Sequence, residues 1–157
     1  MGTRVHYRPY TPADFPALYA IEEICFRTPF RFGRRYVRRL ADSPYTITWI
    51  AEEDGQIAGF AIADYGRGSQ GIAAYIQTIE VLPDMRGRGI GGELLRRIDD
   101  SARDKSALAI WLHVDSQNAS AIRLYETHGY VCQGRKESYY PHGRAAFIYR
   151  KALAAGA

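Results

Sequence analysis

The 157-residue chain has only two cysteines, Cys25 and Cys132, far apart and outside any CxxC or Cys/His cluster. Such usage excludes a disulfide framework and a zinc site, and predicts two buried free thiols. Apolar runs are short, of the size of Leu108 to Leu112, against the ~20 residues a membrane helix needs. Arg4, His6 and Arg8 stand where a secretory signal would be apolar, and His6 occupies the position at which a myristoylation signal needs Ser or Thr. The expectation is a cytoplasmic protein with no membrane or lipid anchor. A GK[ST] triplet is lacking, which excludes a nucleoside-triphosphate P-loop. His6, His128 and His142 have no metal-ligand spacing, so no metal is expected. Repeats are absent, and the one biased stretch is the tail 154–157.

What the chain does have is 46% hydrophobic and 24% charged residues, the balance of a folded domain. At this length roughly two-thirds of the unfolded surface can be buried without staples. One domain is expected over residues 1–153, followed by a short tail. The net charge of +4 is uneven, because residues 1–40 hold eight arginines against three acids. A positive end of this kind suits an acidic peptide, ribosomal RNA or an anionic cofactor, and equally a solvated helix.

Residues 3–8 alternate as a first strand, and Thr11-Pro12-Ala13-Asp14 carries an N-cap, a proline for the first helical position and a first-turn acid. A helix follows through Cys25 with Phe15, Leu18, Tyr19 and Ile21 inward and the acids outward. Arg34, Arg35, Arg38 and Arg39 flank Tyr36, Val37 and Leu40 in a second helix ended by Pro44. Tyr45–Glu52 and Gln56–Tyr65 read as strands around an Asp54-Gly55 hairpin turn, and 66–71 as a glycine-rich turn before a central strand at Ile72–Leu82. Then come a helix from Gly89 to Arg103, a buried strand at Leu108–Val114, and a helix from Asn118 to His128 closed by Gly129. Two strands, Tyr130–Tyr140 and Arg144–Leu153, end the order. The fold class is a single mixed α/β domain.

The densest chemistry lies at Ile79-Glu80-Val81 and Arg86-Gly87-Arg88-Gly89-Ile90-Gly91-Gly92, where a buried strand runs through glycines into a helix. Glycines admit a ligand to the backbone, first-turn N–H groups lack intrahelical partners, and the helix dipole favours an anion there. A dinucleotide fingerprint also fits Gly87 to Gly92, with Asp115 as its acid. Against it, Pro83 to Arg86 separate strand from glycine, antiparallel strands precede it, and too little chain follows Asp115 for a second half.

Arg86-Gly87-Arg88-Gly89-Ile90-Gly91 also meets the pattern [Q/R]xxGx[G/A], and on it the chain resembles the GNAT superfamily of acetyl-CoA-dependent N-acetyltransferases. The resemblance spans nearly the whole length and implies a mixed central sheet of about seven strands flanked by about four helices. It also implies that the glycine loop clasps the cofactor pyrophosphate while the backbone of Ile79, Glu80 and Val81 pairs with the pantetheine arm. The run Leu112 to Tyr130 resembles the second cofactor motif, in which Asn118 bonds the pantetheine and Tyr125 stands near the thioester sulfur. A tyrosine hydroxyl is a proton donor at neutral pH.

Within the superfamily the chain is most similar to enzymes that acetylate protein N-termini. Ribosomal-protein-alanine acetyltransferases usually carry Glu where His113 stands. One branch of the eukaryotic Nα-acetyltransferases instead has Tyr-Ile-x-Thr and Leu-His-Val, matching Tyr75-Ile76-Gln77-Thr78 and Leu112-His113-Val114. By that resemblance Tyr75 and His113 deprotonate the acceptor; a core histidine and a packing tyrosine are the plain alternatives. Tyr139 and Tyr140 resemble the tyrosine pair that covers the acceptor peptide, and Phe26, Pro29 and Phe30 the opposing loop.

The reading is an enzyme that moves acetyl from acetyl-CoA to a primary amine, most simply a peptide N-terminus, by direct attack. Its partners are acetyl-CoA and a protein or peptide, with nucleic acid met only through a ribosomal substrate, as a monomer or homodimer. A small-molecule amine acceptor, or a non-catalytic acyl-CoA or RNA-binding module, stays open.

Overall fold

Asp54 and Gly55 take φ of 52° and 76°, the two left-handed residues a tight hairpin needs, and join β2 (Thr46–Glu53) to β3 (Gln56–Gly68). The computed structural model describes residues 4–153, so the tail 154–157 and the first residue of the expected 3–8 strand lie outside the described residues. The remaining elements are β1 (His6–Pro9), α1 (Phe15–Cys25), α2 (Arg34–Asp42), β4 (Gly71–Val81), α3 (Ile90–Asp104), β5 (Ala109–Asp115), α4 (Ala119–Thr127), β6 (Val131–Tyr140) and β7 (Arg144–Ala152). One seven-stranded sheet has the order β1-β2-β3-β4-β5-β7-β6, and its β4–β5 pair is parallel.

Two apolar clusters cover its faces. One joins Leu94, Leu95 and Ile98 of α3 to Ile76, Ile110 and Leu112, and the other joins Phe15, Leu18 and Ile21 of α1 to Ile50, Phe60 and Ile62.

Three local readings are corrected. Pro12–Asp14 forms a separate 3-10 turn, with Asp14 accepting from the Thr11 N–H at 2.8 Å, and α1 proper begins at Phe15. The glycines of 66–71 mostly belong to the sheet, since Gly66 pairs with Ala73 and Gly68 with Gly71, leaving Ser69-Gln70 as the turn. Backbone pairing overrides the turn-like composition there. Glu22, expected to face water, is fully buried on the core side of α1.

Two departures from regular strands set up the site. β4 and β5 pair only at Ala74–Ile110, Tyr75–Trp111 and Ile76–Leu112. Beyond that point they diverge, and at the same point the β3 register jumps from Thr78 to Ile76, so Gln77 is the extra residue of a bulge.

Candidate functional site

The opening between β4 and β5 leaves strand backbone facing a cleft. Leu82 N–H donates to Ala58 O on the β3 side, at 2.9 Å. Strand alternation therefore turns the N–H and C=O of Val81 toward the open side. There the Arg86 guanidinium reaches Val81 O, with Nε at 3.0 Å, and the Cys25 thiol approaches it at 3.6 Å. The Val81 N–H remains available to an extended partner laid along β4.

A cleft of about 350 Å³ runs from this edge to the start of α3, lined by Ile79, Glu80, Val81, Arg86, Gly87 and Gly89 to Gly92. Gly87 and Gly89 have φ of 79° and 82°, the left-handed region, and a Cβ at either would meet nothing within 4 Å. Gly89 is the N-cap of α3 and supplies no capping side chain. The first free N–H groups of α3 thus open into empty space, a fit for a phosphate.

Two expected contributors are placed elsewhere. The Arg88 guanidinium is spent on Glu53 of β2, at 2.5 Å, and does not line the cleft. Asn118 is the N-cap of α4, its side-chain oxygen accepting from Ala121 N at 3.2 Å, and it also lies outside the lining.

A second cleft of about 310 Å³ shares Cys25, Phe26 and Ile79 with the first and adds Phe30, Phe32, Gln77, Thr78, His113, Tyr125 and Tyr140. His113 sits on the diverging part of β5, and its Nδ1 is 2.7 Å from the Tyr75 hydroxyl. Tyr139 stacks on the imidazole at 4.5 Å between centroids and 8° between planes. A second bulge presents it: between the pairs Lys136–Ala146 and Tyr140–Arg144 the longer β6 side turns through Ser138 at φ 50°. Tyr125 is buried beside the cleft, and its hydroxyl bonds to no other described residue. Phe30 lies under the Arg144 guanidinium at 4.9 Å, while Pro29 is exposed and outside the lining.

Burial pushes His113 below the usual imidazole range, and the Lys136 ammonium adds to the effect. At neutral pH the ring is a neutral base. Burial pushes Tyr75 and Tyr125 far above the ordinary phenol range, so both keep their protons. With Nδ1–H donating to Tyr75, Nε2 keeps a free lone pair; with Tyr75 donating to Nδ1, the phenol becomes the group through which a proton reaches the ring. Exchanging Lys136 for glutamate raises the His113 pKa, because it removes a nearby cation and adds an anion. The acidic limb of kcat/KM for Lys136→Glu is therefore expected to move up by about half a pH unit, as a pH–rate profile reads directly.

Two carboxyls are buried nearby, Glu80 of β4, which lines the first cleft, and Glu22 of α1. Glu22 accepts from Phe32 N at 2.9 Å, and Glu80 from the Thr78 hydroxyl at 2.8 Å. The other oxygen of each has no donor among the described residues. Burial and the Glu22 carboxyl beside it hold Glu80 far above the usual carboxylate range, so Glu80 stays protonated at neutral pH. Unfolded Glu80 ionises near pH 4.3 and the folded residue does not, so this group makes the chain less stable as pH rises, by about 1.4 kcal/mol per unit. Glu80→Gln keeps a donor and loses the ionisation. Its melting temperature is expected to exceed that of the parent by a margin that widens between about pH 5 and pH 9.

Composition and spacing did not point to Gln77, Glu22, Cys25 or Arg144. Cys25 is half-buried between the clefts, and Cys132 is exposed on the edge strand β6, so the expectation of two buried thiols fails. Asp115, the acid of the dinucleotide alternative, is paired with Arg144 at 2.6 Å. Among the described residues no helix is long and apolar enough to cross a membrane.

Comparison with known proteins agrees with the architecture. A model described as "Acetyltransferase (GNAT) family" matches residues 15–130. Streptothricin acetyltransferase from Streptomyces lavendulae is 40% identical over 87 residues, covering 55% of this chain and 45% of that protein, so the match spans under half of its length. The [ribosomal protein bS18]-alanine N-acetyltransferase of Escherichia coli is 30% identical over 135 residues, 82% of each chain. Arabidopsis thaliana NAA60, solved in complex with acetyl-CoA, superposes with a TM-score of 0.85 at 22% identity, over 96% of this chain and 99% of that one.

Proposed function

The chain belongs to the GNAT acetyltransferase family, and from that premise we propose that it moves acetyl from acetyl-CoA to the α-amine of a protein or peptide N-terminus by direct attack, both substrates being bound together. Acetyl-CoA supplies an activated acetyl group on a thioester. In this reading the free N–H groups at the start of α3, with Gly87 and Gly89, hold its diphosphate, and the open edge of β4 at Val81 holds its arm.

The observation that carries the reading is the His113–Tyr75 contact, with His113 on the wall of the second cleft, which shares Cys25, Phe26 and Ile79 with the first. A terminal amine has a pKa of about 8 and arrives largely protonated. His113, neutral at that pH, takes the proton directly or by way of the Tyr75 hydroxyl. Tyr125, still protonated and bonded to no other described residue, is the donor for the departing thiolate. The only thiol at the junction is Cys25, which burial pushes up and keeps as a poor nucleophile; that favours direct transfer over an acyl-enzyme. The aromatic wall of Phe26, Phe30, Phe32 and Tyr140 suits a peptide's first side chain.

Similarity to the bS18-alanine enzyme over 82% of each chain supports a polypeptide acceptor. The 40% identity to streptothricin acetyltransferase favours a second reading, a small-molecule amine. A coenzyme-A release assay with free-N-terminus peptides, polyamines and an aminoglycoside decides between them. Turnover of peptides is expected, and turnover of the small amines alone would contradict the reading.

A further inference from the structure

The ion pairs of the described residues are unevenly placed. Arg8, Arg88, Arg96, Arg97, Arg103 and Arg144 each hold a carboxylate within 4 Å. The segment from Arg27 to Arg39 carries six arginines and a single ion pair, Arg38 with Asp42 at 3.4 Å.

The six do different things. Arg34 and Arg38 lay their guanidiniums over the Phe15 ring, each at 5.0 Å, and Arg31 donates to the backbone oxygens of Phe26 and Glu23. Arg27, Arg35 and Arg39 are exposed and have no ion-pair partner among the described residues. Arg35 and Arg39 are one helical turn apart on α2 and share an open groove with Arg34 and Arg38.

This charge adjoins the acceptor cleft. Arg27 lines it, and Tyr36, which stands between Arg35 and Arg39 in sequence, donates to the Gln77 side chain at 3.4 Å, itself part of the cleft wall. A chain leaving the cleft past Gln77 and Tyr36 therefore runs onto α2.

We propose that α2 selects acceptors carrying aspartate or glutamate a few residues beyond the acetylated terminus, with Arg35 and Arg39 as the residues that read them. The inference rests on the acceptor being a polypeptide. Guanidinium pairs bidentately with carboxylate, and at an exposed site the effect is on encounter and KM while the chemical step is untouched. Continuity with the cleft favours an acidic peptide over RNA, because the strip begins where an acceptor backbone would emerge.

The test uses peptides sharing their first two residues and carrying, further along, paired Glu, paired Gln or paired Lys. The Glu series is expected to have about tenfold higher kcat/KM than the Lys series at low salt, through KM, with the advantage shrinking as salt is raised. The double variant Arg35→Glu/Arg39→Glu is expected to reverse the order while keeping its melting temperature, since both side chains are exposed and hold no ion pair among the described residues. Equal kcat/KM for the three series, with N-terminal acetylation proceeding, would overturn the inference and leave the acceptor class standing. Absence of transfer to every peptide would overturn both. Stronger inhibition by an unstructured RNA oligomer than by polyglutamate would overturn the choice of partner.

Discussion

Replacement of His113 by alanine is expected to lower kcat/KM near neutral pH by about 10²–10⁴-fold, with coenzyme A affinity unchanged. The imidazole lies between the Tyr75 hydroxyl at 2.7 Å and the Tyr139 ring at 4.5 Å, and it lines the acceptor cleft, outside the lining of the glycine-loop cleft. On the proposed mechanism its loss removes the group that accepts the amine proton and leaves the glycine-loop cleft alone. The deficit shrinks above the amine's own pKa of about 8, where the acceptor arrives already neutral. A steady-state pH profile of both proteins measures this, and equal turnover would take His113 out of the mechanism.

The second large effect is expected at Gly89. A β-branched residue at φ 82° is strained, and its side chain would project into the space at the first N–H groups of α3. Gly89→Val is expected to weaken coenzyme A binding on the order of 100-fold, the loss of two or more charge-assisted hydrogen bonds. Strain alone would also destabilise the fold, and Gly55→Val separates the two causes. Gly55 has φ 76° in the β2–β3 turn, outside the lining of both clefts, and a Cβ there would meet nothing within 4 Å. Gly55→Val should lose a similar amount of thermal stability and keep its affinity in calorimetry. Equal affinity in Gly89→Val would remove the glycine loop from the binding site.

Patterns of one or two residues made much of this architecture legible. Asp54-Gly55 marked its hairpin because a two-residue turn needs two left-handed residues, and Gly129 marked a helix end at φ 90° for the same reason. The glycine loop was legible because several glycines before a helix have few other uses. What stayed hidden depends on pairing between distant segments. The Gln77 bulge exists only against β3, and the turn through Ser138 that lays Tyr139 on His113 only against β7. Burial of Glu22 depends on its partner Phe32 N–H and on what α1 packs against, which helical periodicity cannot register. Arg88 and Asn118 had the right residue types, yet their side chains meet Glu53 and the α4 backbone. A residue's type constrains its chemistry, while its partner is decided by what the fold sets beside it.

The central claim is that a terminal amine and acetyl-CoA meet at His113. Incubating the purified chain with isotope-labelled acetyl-CoA and a peptide library bearing free N-termini and internal lysines, followed by fragment mass spectrometry, tests it most directly. Label on the first residue's α-nitrogen is expected. Label confined to lysine side chains, or none on any peptide, would contradict it.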